Sequence, residues 1–463
     1  MIIEQIYTSC LAQGAYLIES NGEVAIIDPL REIDSYIKKA DALNAKIKYI
    51  FETHFHADFV SGHVTLSEKS GAQIVYGPMS NPTYDVIIAE DRQEFKLGNI
   101  TIIALHTPGH TLESTTYLLK DEKGKDHCIF SGDTLFLGDV GRPDLAQKSV
   151  NITQEELAGI LYDSLRKIIM PLADDVIVYP AHGAGSACGK NMMTETVDTL
   201  GNQKKMNYAL RSDMTKAEFI EEVTDGLSVP PAYFPMNVMM NKSGYLNIDD
   251  VISNGNSPLS PAEFEIAANK HQATILDVRH EKEFIKGFIP RSIFIGIDGN
   301  FAPWVGAIIK DVKQPILIVG DENRLNEVIT RLSRVGFDNT IGYLKGSFEA
   351  WKKEGREIDT LQSVPTNQFE TEYKTNHNPI YDVRKKGEWD TKHIKDAHHI
   401  CLSMIHEETD QFPKEKNFYI HCAGGYRSVI ASSVLKMRGF HNLININEGF
   451  DAIQHASLEF ISE

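Results

Sequence analysis

The sequence predicts an α/β protein of about three domains. Three observations carry that expectation. A chain of 463 residues is too long for one ordinary core when domains run to roughly 100–200 residues. Its N-terminal part interleaves short apolar runs, each stopping at polar residues, with helical stretches, and its C-terminal part contains one pattern twice. Hydrophobic residues at 42% and charged residues at 24% give the chain enough apolar content to bury real cores.

Four apolar runs justify the N-terminal strands. Run 47–51 leads into Glu52-Thr53-His54, and run 100–105 into His106-Thr107-Pro108-Gly109-His110. Run 128–130 ends at Ser131-Gly132-Asp133, and run 176–179 at Pro180-Ala181-His182. Each therefore delivers a metal-ligand side chain just past a strand end, where α/β sheets place their sites. A helical stretch 216–224, with Ser212 and Asp213 as its caps, leads into Pro230-Pro231-Ala232-Tyr233-Phe234-Pro235, where the first domain is expected to close. The Gly/Asn/Ser/Pro stretch 253–261 reads as a linker.

The repeat justifies the rest. Ile275-Leu276-Asp277-Val278-Arg279 recurs as Ile380-Tyr381-Asp382-Val383-Arg384, and Ile289 and Ile394 each follow twelve residues after the aspartate. Arg324, Gly336, Phe337, Asn339 and Gly346 correspond to Arg427, Gly439, Phe440, Asn442 and Gly449 at one constant offset. Each copy alternates short apolar strands with helices, which predicts a small parallel sheet covered on both faces.

Charge and cysteine content exclude some classes. With 46 Lys+Arg against 64 Asp+Glu the formal charge is -18, which disfavours nucleic acid as a partner. Cys10, Cys128, Cys188, Cys401 and Cys422 are few, odd in number and without a CxxC pair, as free thiols in a reducing compartment would be. No basic start with an extended apolar run opens the chain, and no run approaches the ~20 residues of a membrane span. A cytoplasmic protein with no membrane partner is expected, with homo-oligomers left open.

His54, His56 and Asp58 alternate, so in an extended segment their side chains project to one side and can converge on one ion. An HxH alone says little. Joined by His110 in a TPGHT turn, Asp133 in SGD and His182 in PAHG, it points to a divalent metal. Here the sequence resembles the metallo-β-lactamase superfamily, which implies an αββα sandwich. In its dinuclear hydrolases, such as glyoxalase II, the first motif reads HxHxDH, and the last His serves a second metal. Phe59 stands there and cannot ligate. His54, His110 and Asp133 remain, a set that resembles the mononuclear iron ligands of persulfide dioxygenases, with one Fe(II) per chain and zinc as the alternative. His56, Asp58 and His182 then orient ligands or waters, or ligate more weakly; each alone reads equally as a hydrogen-bonded loop residue. The segment 141–144, with Arg142, is similar to the GRTD of the same dioxygenases with Pro143 in place of Thr, so Arg142 either holds a carboxylate of the thiol carrier or is a surface loop arginine. Cys188 reads as a residue near the site entrance or as a small buried one.

The second motif is a cysteine loop. A strand 418–421 runs into Cys422, Ala423, Gly424, Gly425, Tyr426 and Arg427, and a helix follows. The glycines allow the amides to point inward, and the helix dipole and Arg427 favour a thiolate at Cys422. With Asp382-Val383-Arg384 upstream, the loop resembles that of rhodanese sulfurtransferases. A phosphatase loop has five residues between Cys and Arg; four stand here, which suits sulfur better than phosphate. In the first copy the constant offset puts Val319 in the place of Cys422, with Gly320-Asp321-Glu322-Asn323 beyond it. That copy reads as inactive and structural, docking the other two domains.

The whole resembles the bacterial persulfide dioxygenase and rhodanese fusions. This implies a metallo-β-lactamase-like domain at 1–245, an inactive rhodanese-like domain at 258–360 and an active one at 365–463. It also implies small-molecule partners: a thiol persulfide, O2, sulfite and thiosulfate. A glyoxalase II-type zinc thioester hydrolase with accessory rhodanese domains, and a sulfur carrier serving a partner protein, are the alternative readings.

Overall fold

The computed structural model describes residues 1–145, 152–227 and 229–462. They fall into two compact units, one of Met1–Ile248 with Ser333–Gly336, the other of Asp249–Leu332 with Phe337–Glu463.

The first unit contains two six-stranded sheets. In order across the sheet, one has Ile2–Thr8, Gln13–Ser20, Glu23–Ile27, Lys46–Phe51, Gln73–Tyr76 and Ile87–Ile88; the other has Asp198–Thr199, Ile177–Pro180, Asp126–Gly132, Thr115–Lys120, Ile100–His106 and Glu94–Leu97. Alternation along the strands sorts three apolar layers. Tyr16, Ile18, Ile27 and Phe51 of one sheet meet Ile102, Tyr117, Leu119 and Phe130 of the other in a shared core. Leu17, Val24, Ile26 and Ile50 face the opposite way, with Tyr36 and Ala40 of helix Asp34–Ala42 and Leu66 of helix His63–Ser70. Ile103, Leu118 and Ile129 face outward on the second sheet, with Leu161 of helix Gln154–Ser164 and Phe219 of helix Lys216–Thr224. This is the αββα sandwich.

Two local expectations change. Thr215, rather than Ser212 or Asp213, caps helix Lys216–Thr224, because only Thr215 has Glu218 three residues on to complete a capping box. The chain also continues past the proline-rich stretch as helix Phe234–Ser243, which returns to the site described below.

In the second unit, the sheet of the first copy orders its strands Pro258–Leu259, Thr340–Leu344, Ile316–Val319, Thr274–Asp277 and Ile293–Phe294. The sheet of the last copy repeats that order with Ser363–Val364, Leu443–Ile446, Phe418–His421, Ile380–Asp382 and His398–His399. Every pairing in both is parallel. The stretch read as a linker is structured: Gly255 ends helix Ile248–Gly255, Pro258–Leu259 joins the sheet, and Ser260 caps helix Pro261–His271 with a Glu263 capping box. Its Gly, Ser and Pro mark element boundaries in close succession. Among the described residues no helix is long and apolar enough to cross a membrane.

Candidate functional site

Strands Ile100–His106 and Asp126–Gly132 are both antiparallel to Thr115–Lys120, and Ile177–Pro180 is parallel to Asp126–Gly132. Their C-terminal ends therefore share one edge of one sheet and carry His110, Asp133 and His182 to it. Strand Lys46–Phe51 brings His54 from the facing sheet. The Thr115 N–H donates to Thr53 O at 2.9 Å and the Tyr117 hydroxyl to Glu52 O at 2.9 Å, joining the two sheets at the site.

His54, His110 and Asp133 come together, each offering a ligand atom within 4.8 Å of the others. All three are buried. His110 Nδ1 donates to Arg142 O at 2.8 Å, leaving Nε2 a lone pair 3.4 Å from Asp133 Oδ2. A Cβ on Gly141 would lie 2.1 Å from Asp133 O and 2.9 Å from His110 Nδ1, so glycine is needed for this approach. Thr53 Oγ1 donates to Asp28 Oδ2 at 2.9 Å and so accepts from His54 Nδ1 at 3.0 Å. His54 Nε2 thus also turns a lone pair toward Asp133 Oδ2, 3.8 Å away. Burial, reinforced by His56, holds the His54 pKa well below its ordinary value.

The remaining residues form two neighbouring groups. His182 lies between two carboxylates, Nδ1 2.8 Å from Asp133 Oδ1 and Nε2 2.8 Å from Asp58 Oδ2. Burial opposes its charge, but Asp133 and Asp58 prevail and raise its pKa well above the usual value. Cys188 is fully buried, its sulfur within ligand distance of Asp58 and His182. Burial pushes its thiol up, with Asp58 and Asp133 adding to the effect. His56 turns the other way, with Nε2 3.1 Å from Asp28 Oδ1 and 3.6 Å from Glu52 Oε2 and its ring stacked on Phe59 at 4.2 Å. Arg142 is 3% exposed, so it is no surface arginine. Its guanidinium closes on Asp144 at 2.6 and 2.7 Å, the pair of bonds expected for a substrate carboxylate, and it serves the site through its carbonyl.

Three positioning residues escaped the sequence reading. Asp28, at a left-handed φ of 49° after strand Glu23–Ile27, accepts from Thr53 N at 2.8 Å as well as from its hydroxyl. Thr53 relays that bond to His54. Asn241, on helix Phe234–Ser243, donates to His56 O and Phe59 O, both at 2.8 Å, and accepts from Ser61 N at 2.8 Å. The one sequence signal was the Ile-Asp-Pro stop after the third strand.

In the last copy, Cys422 follows strand Phe418–His421 and is 1% exposed, while Gly424 beside it is exposed. Gly425 sits at φ 98°, a setting suited to glycine, and its N–H donates to Cys422 Sγ at 3.1 Å. Helix Tyr426–Met437 starts there. Arg427 bonds Glu388 at 2.6 and 2.7 Å, and Arg384 Nε bonds both oxygens of Asp382 at 3.0 and 2.8 Å. In the first copy the sheet register corrects the constant offset. Asp277 pairs with Val319 and Asp382 with His421, so Val319 matches His421, and Gly320 stands where the cysteine does. The loop from there to Arg324 is one residue shorter than the loop from Cys422 to Arg427.

The sequence matches the metallo-beta-lactamase superfamily over residues 9–182 and the rhodanese-like domain over 260–354 and 366–456. A solved metallo-beta-lactamase from Staphylococcus aureus subsp. aureus COL superposes with a TM-score of 0.64 at 31% identity, covering 74% of this chain and 98% of that one. This chain belongs to the metallo-β-lactamase superfamily. Two rhodanese-like domains follow its metallo-β-lactamase domain. That domain is 33% identical over 181 residues to the cytoplasmic hydroxyacylglutathione hydrolase of Arabidopsis thaliana, covering 38% of this chain and 66% of the relative. It is 29% identical over 236 residues to the mitochondrial persulfide dioxygenase of Homo sapiens, covering 50% of this chain and 83% of the relative. The two relatives stand at similar distances and carry different activities.

The site of the metallo-β-lactamase domain fits a metal ion on its own chemistry. Asp133 Oδ2 is buried without a hydrogen-bond partner and faces two imidazole lone pairs. Two imidazole nitrogens and a buried carboxylate oxygen that converge with no hydrogen bond between them form a donor set suited to a cation.

Proposed function

We propose that this chain is a non-haem iron persulfide dioxygenase joined to a rhodanese sulfurtransferase. The observation that carries the reading is the place of Phe59. Its ring fills the position of a second-metal donor and stacks on His56, whose Nε2 turns to Asp28 and Glu52. Two imidazoles and one carboxylate, His54, His110 and Asp133, converge on one place. These three would hold a ferrous ion, which would supply the redox capacity to join a persulfide sulfur to dioxygen. The protein's own part is to fix both imidazoles in one tautomer and to hold the His182 ring between Asp133 and Asp58. The overall conversion is R–S–SH + O2 + H2O to R–SH, sulfite and two protons.

In the last domain the Cys422 thiolate attacks the outer sulfur of thiosulfate. The S–S bond breaks, sulfite leaves with the electron pair, and Cys422 keeps the sulfur as a persulfide for the next acceptor. The Gly425 amide is placed to hold the charged sulfur.

One observation favours a second reading. Asp58, His182 and Cys188 also offer ligand atoms within 4.8 Å of one another, and a second ion bound there would support a zinc thioester hydrolase. Metal analysis with oxygen uptake on glutathione persulfide separates the two. About one iron per chain with sulfite formed is expected; two zinc ions, thioester hydrolysis and no oxygen uptake would sink the dioxygenase.

A further inference from the structure

The first rhodanese-like copy lacks a thiol, yet its chain reaches the loop that has one. Tyr426, the residue before Arg427, donates its hydroxyl to Gly296 O of that copy at 2.7 Å, and its ring stands edge-on to Phe294 at 5.8 Å. A Cβ on Gly299 would lie 2.3 Å from the Tyr426 ring, and one on Gly296 would lie 3.3 Å from it. Neither glycine has a left-handed φ; at Gly299 all three nearest atoms belong to the Tyr426 ring, so the ring excludes a side chain there, whereas at Gly296 Arg279 O at 3.0 Å and Phe294 at 3.1 Å come nearer than the ring. An open pocket of about 250 Å³ flanks Tyr426, so packing does not enclose the ring on every side. Further along helix Tyr426–Met437, Ser433 accepts from Phe294 N at 3.0 Å, giving the helix a second anchor on the same copy. Gly425, whose amide contacts the sulfur, is joined to Tyr426 by one peptide bond.

We propose that Tyr426 is a positioning residue through which the thiol-less copy sets the Cys422 loop, so that sulfur transfer in the last copy depends on the turn 296–299 of the other. The proposal rests on reading Cys422 as the sulfur carrier. A shift of the seat is passed through one peptide to the Gly425 amide, and errors of about 1 Å in a reacting geometry cost up to ~100-fold.

The test uses the full chain with Gly299→Ala, Tyr426→Phe, Tyr426→Ala and the Gly299→Ala/Tyr426→Ala double variant, read by thiosulfate:cyanide sulfurtransferase kinetics and by the pH profile of Cys422 alkylation. Gly299→Ala should lower kcat by ~10- to 100-fold with little change in the KM for thiosulfate, and should move the alkylation profile to higher pH. Tyr426→Phe should show a smaller change in the same directions. In the Tyr426→Ala background, Gly299→Ala should add nothing, since the ring it displaces is gone. Wild-type kcat and alkylation profile in Gly299→Ala and Tyr426→Phe, or fully additive losses, would overturn the proposal. If Gly299→Ala fails to fold, Tyr426→Phe decides, because it deletes only the hydroxyl. Alkylation reads the loop whether or not sulfur moves, so an inactive wild-type chain would overturn the sulfur-transfer reading alone.

Discussion

Asp28 accepts from Thr53 twice, and Thr53 accepts from His54 in turn. Asp28→Asn puts an amide donor within reach of that hydroxyl and frees His54 to take either tautomer, so metal affinity should fall by roughly 10- to 100-fold in a chelator competition. Unchanged affinity would show that the relay does not set the ligand. The two repeat aspartates offer a pH test. Burial raises the pKa of Asp277, with Arg279 only partly offsetting it, whereas at Asp382 His421 and Arg384 outweigh burial and lower it. A depressed carboxyl stabilises the fold above its unfolded value, about 3.9, and loses that contribution as pH falls through the folded pKa; a raised one gains relative stability as pH falls toward 3.9. The denaturant-midpoint deficit of Asp382→Asn should therefore shrink below about pH 4, and that of Asp277→Asn should grow as pH falls from neutral to about 4. Trends of the same sign in both variants would count against this account.

Helix Phe234–Ser243 acts on the metal loop through one amide. Asn241→Ala leaves His56 O, Phe59 O and Ser61 N without their partner, and one such buried group alone costs on the order of 1–3 kcal/mol. The variant should lower the unfolding midpoint and bind metal less tightly; wild-type stability would mean that the loop holds itself. His54, His110 and Asp133 were legible because each follows a run that stops abruptly, a local signal. Asn241 was not, since its partners His56 and Phe59 lie 185 and 182 residues away and nothing nearby marks an asparagine in a helix as a clamp. The glycine turn at Cys422 was legible for the same local reason. The match between Gly320 and Cys422 appears only in the pairing of strands, because a one-residue deletion in a loop leaves the offsets of the following helix intact. The αββα layers could be expected from the resemblance, but which residues face which layer followed from register.

For the whole chain, two compact units predict two separable activities. Cys422→Ser should abolish sulfur transfer and leave oxygen uptake largely intact, and His110→Ala should lose metal and oxygen uptake while keeping thiosulfate:cyanide turnover. Parallel loss of both activities in either variant would contradict that division. The burial of the cysteines also bears on how sulfur loading is counted. Cys128, Cys188 and Cys422 are buried, whereas Cys10 and Cys401 are half-buried. In excess polysulfide, labile sulfur can add to any accessible thiolate. More than one sulfur per chain by intact mass then marks the half-buried thiols before it marks a second carrier, and stoichiometry becomes meaningful once Cys10→Ser and Cys401→Ser have removed that background.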